Sequence, residues 1–160
     1  PEKRSLLEKL QSTYPDYAWI GLADNQGKVL ASTGQLLEGK NVSQRPWYIH
    51  GIKAPYVGDV HKALLLEKLL PNPTGEPKRF LDVVSPVLDL QGNTIGALGA
   101  HLYWQWTKEV RDSILQPLQD RSQVEMMIVS SNGEVLLGPV DLQLQQLNLK
   151  IIQAAKEGKN

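Results

Sequence analysis

A short segment that contains Arg45, Trp47 and Tyr48 has the chemistry of an anion-binding site. The guanidinium of Arg45 is planar and permanently charged, and it can hold a carboxylate through two parallel hydrogen bonds. Trp47 and Tyr48 can form a pocket wall, and their indole N–H and phenol O–H groups can donate to a ligand. The alternative is that Arg45 is a surface residue before a proline turn and that the two aromatic residues only pack in the core.

A second set of polar residues combines two of the three histidines with two aspartates. Asp59 and His61 are close in sequence, whereas Asp82 and His101 lie in the two segments with the strongest strand character. Imidazole and carboxylate groups suit zinc or another divalent cation, but the spacing here matches no short metal motif. We therefore predict no metal ion and no cofactor. The structural alternatives are that Asp59 caps a helix beginning at Val60 and that His101 is a hydrogen-bonded strand residue.

Hydrophobic periodicity predicts the strands and helices that hold these side chains. Strands are predicted over residues 17–22, 28–32, 54–60, 80–88, 94–103, 125–129 and 134–137. Helices are predicted over residues 2–13, 62–70 and 106–118, with a helical turn over residues 45–52. Polar turns that contain glycine join neighbouring strands into hairpins. The order of elements indicates an antiparallel sheet with helices packed on one side, which is an α+β arrangement.

The two longest predicted strands place the polar candidates on one face of the sheet, because alternate residues of a strand face the same way. The residues on this face are Asp82, Val84 and Pro86 on the first strand, and Ala97, Gly99, His101 and Tyr103 on the second. The small side chains at positions 97 and 99 predict space above this face for a ligand.

Composition argues against several classes of function. The chain has 160 residues with 17 basic and 17 acidic side chains, so no excess of positive charge points to nucleic acid or to a membrane surface. The absence of cysteine removes disulfides and thiol catalysis. The sequence has no nucleophile elbow, no glycine loop that would hold a phosphate and no His-Glu-x-x-His motif, so we predict no catalytic residues in this segment. No long apolar run is present, and any membrane spans are expected outside the segment.

Four segments together resemble the Cache family of extracellular PAS-like sensor domains, which occur on bacterial diguanylate cyclases, sensor histidine kinases and chemoreceptors. They are Trp19 to Asp24 with Gly27, Arg45 to Tyr48, Gly58 to His61, and residues 79–102. In order and spacing they cover residues 1 to about 110. The resemblance implies a long N-terminal helix, a sheet of about five strands, flanking short helices and a ligand pocket on the sheet face away from that helix.

The resemblance also implies roles for individual residues. In Cache domains that bind amino acids, an Arg-x-Trp-Tyr segment holds the ligand carboxylate, and Arg45, Trp47 and Tyr48 match that segment. A Tyr-x-Asp pair belongs to the same motif, and Tyr56 and Asp59 match it loosely because they are three residues apart.

Two positions depart from the amino-acid-binding pattern. Lys40 stands where those domains have a tyrosine, and His101 stands where they have the aspartate that binds the ligand ammonium. A neutral imidazole is a poorer partner for an ammonium group than a carboxylate, so the departures favour a carboxylate ligand without an amine. The predicted ligand-binding residues are Arg45, Trp47, Tyr48, Tyr56, Asp59, His61, Asp82 and His101.

A partial internal repeat suggests how the chain is divided. Residues 20–30 and residues 127–136 both read as strand, polar turn with glycine, and strand. We predict a membrane-distal Cache domain over residues 1–110, a connecting helix over residues 111–124, and the beginning of a second, membrane-proximal Cache-like module over residues 125–160.

These observations predict the periplasmic, ligand-sensing portion of a bacterial inner-membrane receptor. Its expected partner is a small, carboxylate-bearing molecule, whose binding passes a helix displacement across the membrane. A homodimer is left open, and no nucleic-acid partner is expected. The alternative is a dimerisation module that senses a protein or a metal and has no small organic ligand.

Overall fold

The computed structural model describes residues 2–61, 68–70, 78–118, 126–139, 141–142, 145–148, 150, 153–154 and 157–158. Among these residues, no helix is both long and apolar enough to cross a lipid bilayer. Most of the predicted helix over residues 62–70 and the predicted loop over residues 71–77 lie outside the described residues.

The chain divides into two compact units, Pro1–Trp104 and Gln105–Asn160. The first unit contains helix α1 (Glu2–Thr13), strands β1 (Tyr17–Asp24) and β2 (Val29–Ser32), and a 3₁₀ turn (Thr33–Gln35). It continues with helix α2 (Pro46–Gly51) and strands β3 (Tyr56–Val57), β4 (Phe80–Leu88) and β5 (Thr94–Tyr103). The domain boundary predicted at residue 110 stays a prediction.

The five strands of the first unit form one antiparallel sheet in the order β2-β1-β5-β4-β3. The bounds of β4 and β5 are those predicted from the sequence, and their pairing places Asp82 opposite His101 and Val84 opposite Gly99. The predicted α+β, PAS-like fold with about five antiparallel strands is confirmed. The strand predicted over residues 54–60 is shorter than expected, because only Tyr56 and Val57 pair with β4.

The two helices of the first unit lie on opposite faces of the sheet. Helix α1 buries Leu7 against Ile20, Ala31 and Ala100 on one face. Helix α2 packs on β4 and β5, and it buries Trp47 on the other face. The expectation that the helices pack on one side of the sheet is therefore wrong for α2, because both faces of the central strands carry apolar residues that need cover.

The second unit contains helix α3 (Trp106–Leu115), a 3₁₀ turn (Gln116–Leu118) and a hairpin of β6 (Ile128–Val129) and β7 (Val135–Leu137). The helix predicted over residues 106–118 corresponds to α3 and its 3₁₀ end. The hairpin turn is closed by Ser130, whose hydroxyl accepts the N–H of Glu134 at 2.9 Å. All three residues of β7 are buried.

The turn between β4 and β5 depends on the carboxylate of Asp89. It accepts the backbone N–H groups of Gln91 and Asn93 at 3.0 and 2.8 Å, and the side-chain amide of Asn93 at 3.0 Å. The Asn93 groups, with smaller contributions from the N–H groups of Gln91 and Gly92, hold the pKa of Asp89 below its ordinary value.

We expect Asp89→Ala to lower the unfolding temperature at pH 7 by a few degrees, about 2–4 °C for a chain of this size. Because the folded-state pKa is lowered, this contribution is present above the unfolded-state pKa of about 3.9 and is lost as the pH falls through the folded value. Thermal unfolding at pH 7 and pH 2.5 measures it. The neighbouring, fully exposed Leu90 supplies the control Leu90→Ala. A difference between Asp89→Ala and the parent that is the same at both pH values would contradict the assignment.

Candidate functional site

The candidate site lies on the sheet face opposite α1, which we call the site face. Three strands contribute one row of facing residues to it: Trp19 on β1 pairs with His101 on β5, and His101 pairs with Asp82 on β4. The next row pairs Gly21 with Gly99, and Gly99 with Val84. The predicted face of β4 and β5 is therefore confirmed, and the register extends it to β1.

A buried carboxylate between two imidazoles forms the polar centre of this face. Asp82 is 5% exposed and His101 is 4% exposed. Asp82 Oδ1 is in ion-pair contact with His101 Nδ1, and Asp82 Oδ2 lies 3.6 Å from His61 Nε2. Neither Asp82 Oδ1 nor His101 Nδ1 has another hydrogen-bond partner in the described part of the chain. We call these three residues the His-Asp-His cluster.

His61 is the member of the cluster that reaches solvent, because its side chain is 39% exposed. Its Nδ1 lies 3.0 Å from the backbone oxygen of Asp59. A neutral His61 that donates from Nδ1 to this carbonyl directs the lone pair of Nε2 at the Asp82 carboxylate. A protonated His61 instead directs an N–H at it. A proton on Nε2 therefore makes the contact favourable.

Aromatic rings surround the buried end of the cluster. The centroid of the His101 ring lies 5.3 Å from that of Trp19, 6.1 Å from that of Trp47 and 6.2 Å from that of Phe80. Trp19 and Phe80 are fully buried. In such apolar surroundings an ionised group depends strongly on its partners, so the Asp82–His101 contact is sensitive to any change in charge nearby.

The space predicted above position 99 is occupied by Trp47. A Cβ atom at Gly99 would lie 2.7 Å from the Trp47 ring, and one at Gly21 would lie 2.2 Å from the Trp19 ring. The small residues were expected to leave room for a ligand, and this expectation is wrong at Gly99. They instead let two indole rings lie on the sheet.

Tyr48 is also directed inward. It is 5% exposed, and its hydroxyl donates to the backbone oxygen of Asp24 at 2.7 Å. Burial, together with the negative charge of Asp24, raises the pKa of Tyr48 above its ordinary value. Its O–H is thus committed to β1, and its placement is that of a core residue.

Arg45 precedes the first turn of α2 and is exposed. Its backbone N–H donates to Val42 and its carbonyl accepts from Ile49, so the position of the residue is fixed at the start of the helix. The guanidinium has no hydrogen bond or ion pair to any residue in the described ranges, and it is available to an anion.

The remaining predicted site residues, Tyr56 and Asp59, lie in and just after β3. Tyr56 is partly buried in β3 and stacks on His50, with ring centroids 4.8 Å apart. Asp59 is exposed, and its carboxylate accepts the N–H of Val60 at 2.8 Å. Val60 is not helical, so Asp59 does not cap a helix beginning at that residue.

The structure thus brings Asp82 and His101 together, as the strand pattern indicated, and it places His61 and Trp47 beside them. It does not join Arg45, Tyr56 or the Tyr48 hydroxyl to this cluster through a hydrogen bond or an ion pair between described residues. Sequence reasoning missed the contribution of Trp19. The alternation of Trp19, Gly21 and Ala23 along β1 was the available signal, because all three residues share the site face.

Two further observations bear on the alternatives. Within the described ranges, no group of three or more His, Cys, Asp or Glu side chains is arranged to hold a metal ion. A surface cavity of about 450 Å³ lies at the start of α1, where Glu2, Lys3, Arg4, Leu30 and Ala31 line it. None of the predicted ligand-binding residues lines that cavity.

Solved structures with the same architecture are sensor and receptor domains. An extracellular ligand-binding receptor from Desulfohalobium retbaense matches with a TM-score of 0.68 at 14% identity, over 100% of this chain and 27% of that one. The sensor domain of the Vibrio cholerae histidine kinase DctB matches with a TM-score of 0.55 at 13% identity, over 98% and 56%. The ligand-binding domain of the Pseudomonas aeruginosa amino acid chemoreceptor PctC, in complex with GABA, matches with a TM-score of 0.61 at 18% identity, over 90% and 59%.

The chain has the fold of an extracellular sensor domain. The predicted fold is confirmed, and these similar structures are sensor and ligand-binding domains, not catalytic ones. The chain spans between about a quarter and three fifths of their length. No protein-family model and no curated protein matches the sequence.

Proposed function

We propose that this chain is the extracytoplasmic ligand-sensing part of a bacterial membrane receptor, and that its ligand is a small carboxylate. The observation that carries the proposal is the His-Asp-His cluster on the site face of a sensor fold. A buried carboxylate with two imidazoles is costly to place in an apolar core. Its position on the face away from α1, with the His61 side chain reaching solvent, is that expected of a recognition site.

The charges of the site favour an anion over an ammonium group. The Asp82 carboxylate already contacts the His101 imidazole and lies 3.6 Å from that of His61, so an ammonium group would have to compete with both rings for it. Arg45, one residue before the helix whose Trp47 touches His101, offers an exposed guanidinium. A carboxylate bound at Arg45 would receive charge-assisted hydrogen bonds from its guanidinium.

Thermal-shift measurements with matched compounds test the ligand class. Butyrate and GABA differ only in an amine, as do 3-hydroxypropionate and L-serine. GABA and L-serine are ligands in similar structures of other receptors. We expect the amine-free member of a pair to raise the unfolding temperature more. Equal increases in unfolding temperature for the two compounds of a pair would show that the site does not discriminate against an amine. The absence of any shift across mono- and dicarboxylates and amino acids would contradict small-carboxylate sensing.

For a carboxylate that binds, we expect Arg45→Ala to weaken affinity by about 10- to 100-fold, since a hydrogen bond to a charged group is worth about 1.5–3 kcal/mol. Calorimetric titration at pH 7 measures the dissociation constant. The matched control is Lys53→Ala, which removes an exposed cation just beyond α2. Equal losses in the two variants would point to a general charge effect and against Arg45 as a ligand contact.

The receptor that would contain this domain is part of the same proposal. The chain would lie in the periplasm, anchored by spans elsewhere in the protein, and would pass a helix displacement to a cytoplasmic output domain. A kinase output would agree with the histidine kinase sensor domains of the same fold.

A further inference from the structure

A short segment after β2 connects the two faces of the sheet. Residues 33–38, which we call the strap, leave the end of β2 and return toward residue 40. Gly34, Gln35 and Leu37 have φ values of 60°, 60° and 67°, in the left-handed region. Two of these residues carry side chains that resist this region, so the strap is held in its conformation by the contacts it makes.

On the site face, the strap is bonded to Trp19. The carbonyl of Leu36 accepts the indole N–H of Trp19 at 3.1 Å and the hydroxyl of Ser32 at 2.6 Å. Trp19 is fully buried and lies against the His101 ring. A change in the position or charge of His101 therefore acts directly on the indole that the strap holds, because an imidazolium interacts more strongly with an indole face than a neutral imidazole does.

On the opposite side, the strap is bonded to α1. Both carboxylate oxygens of Glu38 accept from Arg4, at 2.9 Å from Nε and 2.6 Å from the terminal nitrogen. Glu38 Oε1 also accepts the backbone N–H of Ser32 at 2.9 Å. The Arg4 and Ser32 contacts hold the pKa of Glu38 below its ordinary value. A bidentate pair of this kind fixes direction as well as distance.

We propose that the strap couples the His-Asp-His cluster to α1, through Trp19 and Leu36 at one end and Glu38 and Arg4 at the other. The proposal rests on the sensing function proposed above and gives that function a route. A ligand that reorients His101 shifts the Trp19 indole. This shift changes the length of the hydrogen bond from the indole N–H to the Leu36 carbonyl. The left-handed residues then relax or re-form, and Glu38 moves Arg4 and the start of α1 with it.

A double-mutant cycle in the free protein tests the coupling without any ligand. Arg4→Met and His101→Gln alter residues on opposite faces of the sheet, and distant independent sites are additive. We expect the unfolding equilibrium constant of the double variant, measured in urea, to depart from additivity by at least fivefold. A control cycle pairs Arg4→Met with His50→Gln, whose ring stacks on Tyr56 outside this chain of contacts, and should be additive within twofold. Additivity in the first cycle, or equal departures in both, would overturn the proposal.

A second measurement decides the question if His101→Gln does not fold. We expect Glu38→Gln and Arg4→Met each to accelerate hydrogen exchange of the Trp19 indole N–H at least tenfold, and to shift the His101 ring signals in NMR spectra. Lys9→Met, an exposed change on the same helix, is the control and should leave both unchanged. Unchanged Trp19 exchange and His101 signals in the strap variants would overturn the coupling. A failed ligand screen would count only against the sensing function.

Discussion

Trp19→Ala is expected to lower the free energy of unfolding by about 3–5 kcal/mol, the usual cost of removing a large buried ring. Trp19 is 0% exposed and contacts the rings of Trp47 and His101. Truncation would leave a cavity between α2 and β5, because Gly21 and Gly99 offer no side chains to fill it. The variant would also leave the strap without the indole N–H that Leu36 accepts.

Urea unfolding followed by circular dichroism measures this loss. Trp19→Phe should cost less than Trp19→Ala, since a ring remains but the N–H donor is gone. Leu90→Ala, at a fully exposed turn position, should change the free energy of unfolding by no more than about 0.5 kcal/mol. A loss below about 1 kcal/mol for Trp19→Ala would show that this ring is not the centre of the site-face core.

Asp82→Ala is expected to be similarly severe, with a loss of about 3–5 kcal/mol at pH 7, because removal of one partner leaves the other buried and uncompensated. Asp82 and His101 have side-chain exposures of 7% and 6%, so water cannot easily replace the missing carboxylate. Asp82→Asn keeps the volume and a hydrogen-bond acceptor, and it should retain a part of the stability that Asp82→Ala loses.

The comparison with His61 makes the Asp82 prediction specific. His61→Ala removes the exposed neighbour of the same carboxylate, at 3.6 Å, and should cost no more than about 1 kcal/mol. Urea unfolding of Asp82→Ala, Asp82→Asn and His61→Ala at pH 7 ranks their losses of unfolding free energy. Equal losses for Asp82→Ala and His61→Ala would mean that the buried pair with His101 contributes little to the fold.

The parts of the fold that depend on residues close together in the sequence were predictable from the sequence. The bounds of β4 and β5 follow from alternation and from a polar turn in which Asp89 bonds to residues two and four positions later. The same alternation placed Asp82 and His101 on one face, and the ladder between β4 and β5 then made them neighbours.

What the sequence did not reveal depends on contacts between distant segments. The length of β3 depends on its register with β4, and the predicted seven-residue strand is only two residues long. The role of Tyr48 depends on the carbonyl of Asp24, 24 residues earlier. Trp47 filled the space above Gly99 because α2 crosses that face, and nothing in the local pattern of residues 45–52 specifies where the helix docks.

The facing glycines of β1 and β5 have a consequence for how this site could diversify. Because Gly21 and Gly99 add no side chains, the rings of Trp19 and Trp47 lie directly on the backbone at these two positions. A smaller residue at position 47 would open space above Gly99 without disturbing the hydrogen-bonded ladder beneath it. Ligand size could thus be retuned from one short helix while the sheet and its polar row stay the same, which separates the evolution of specificity from the evolution of the scaffold.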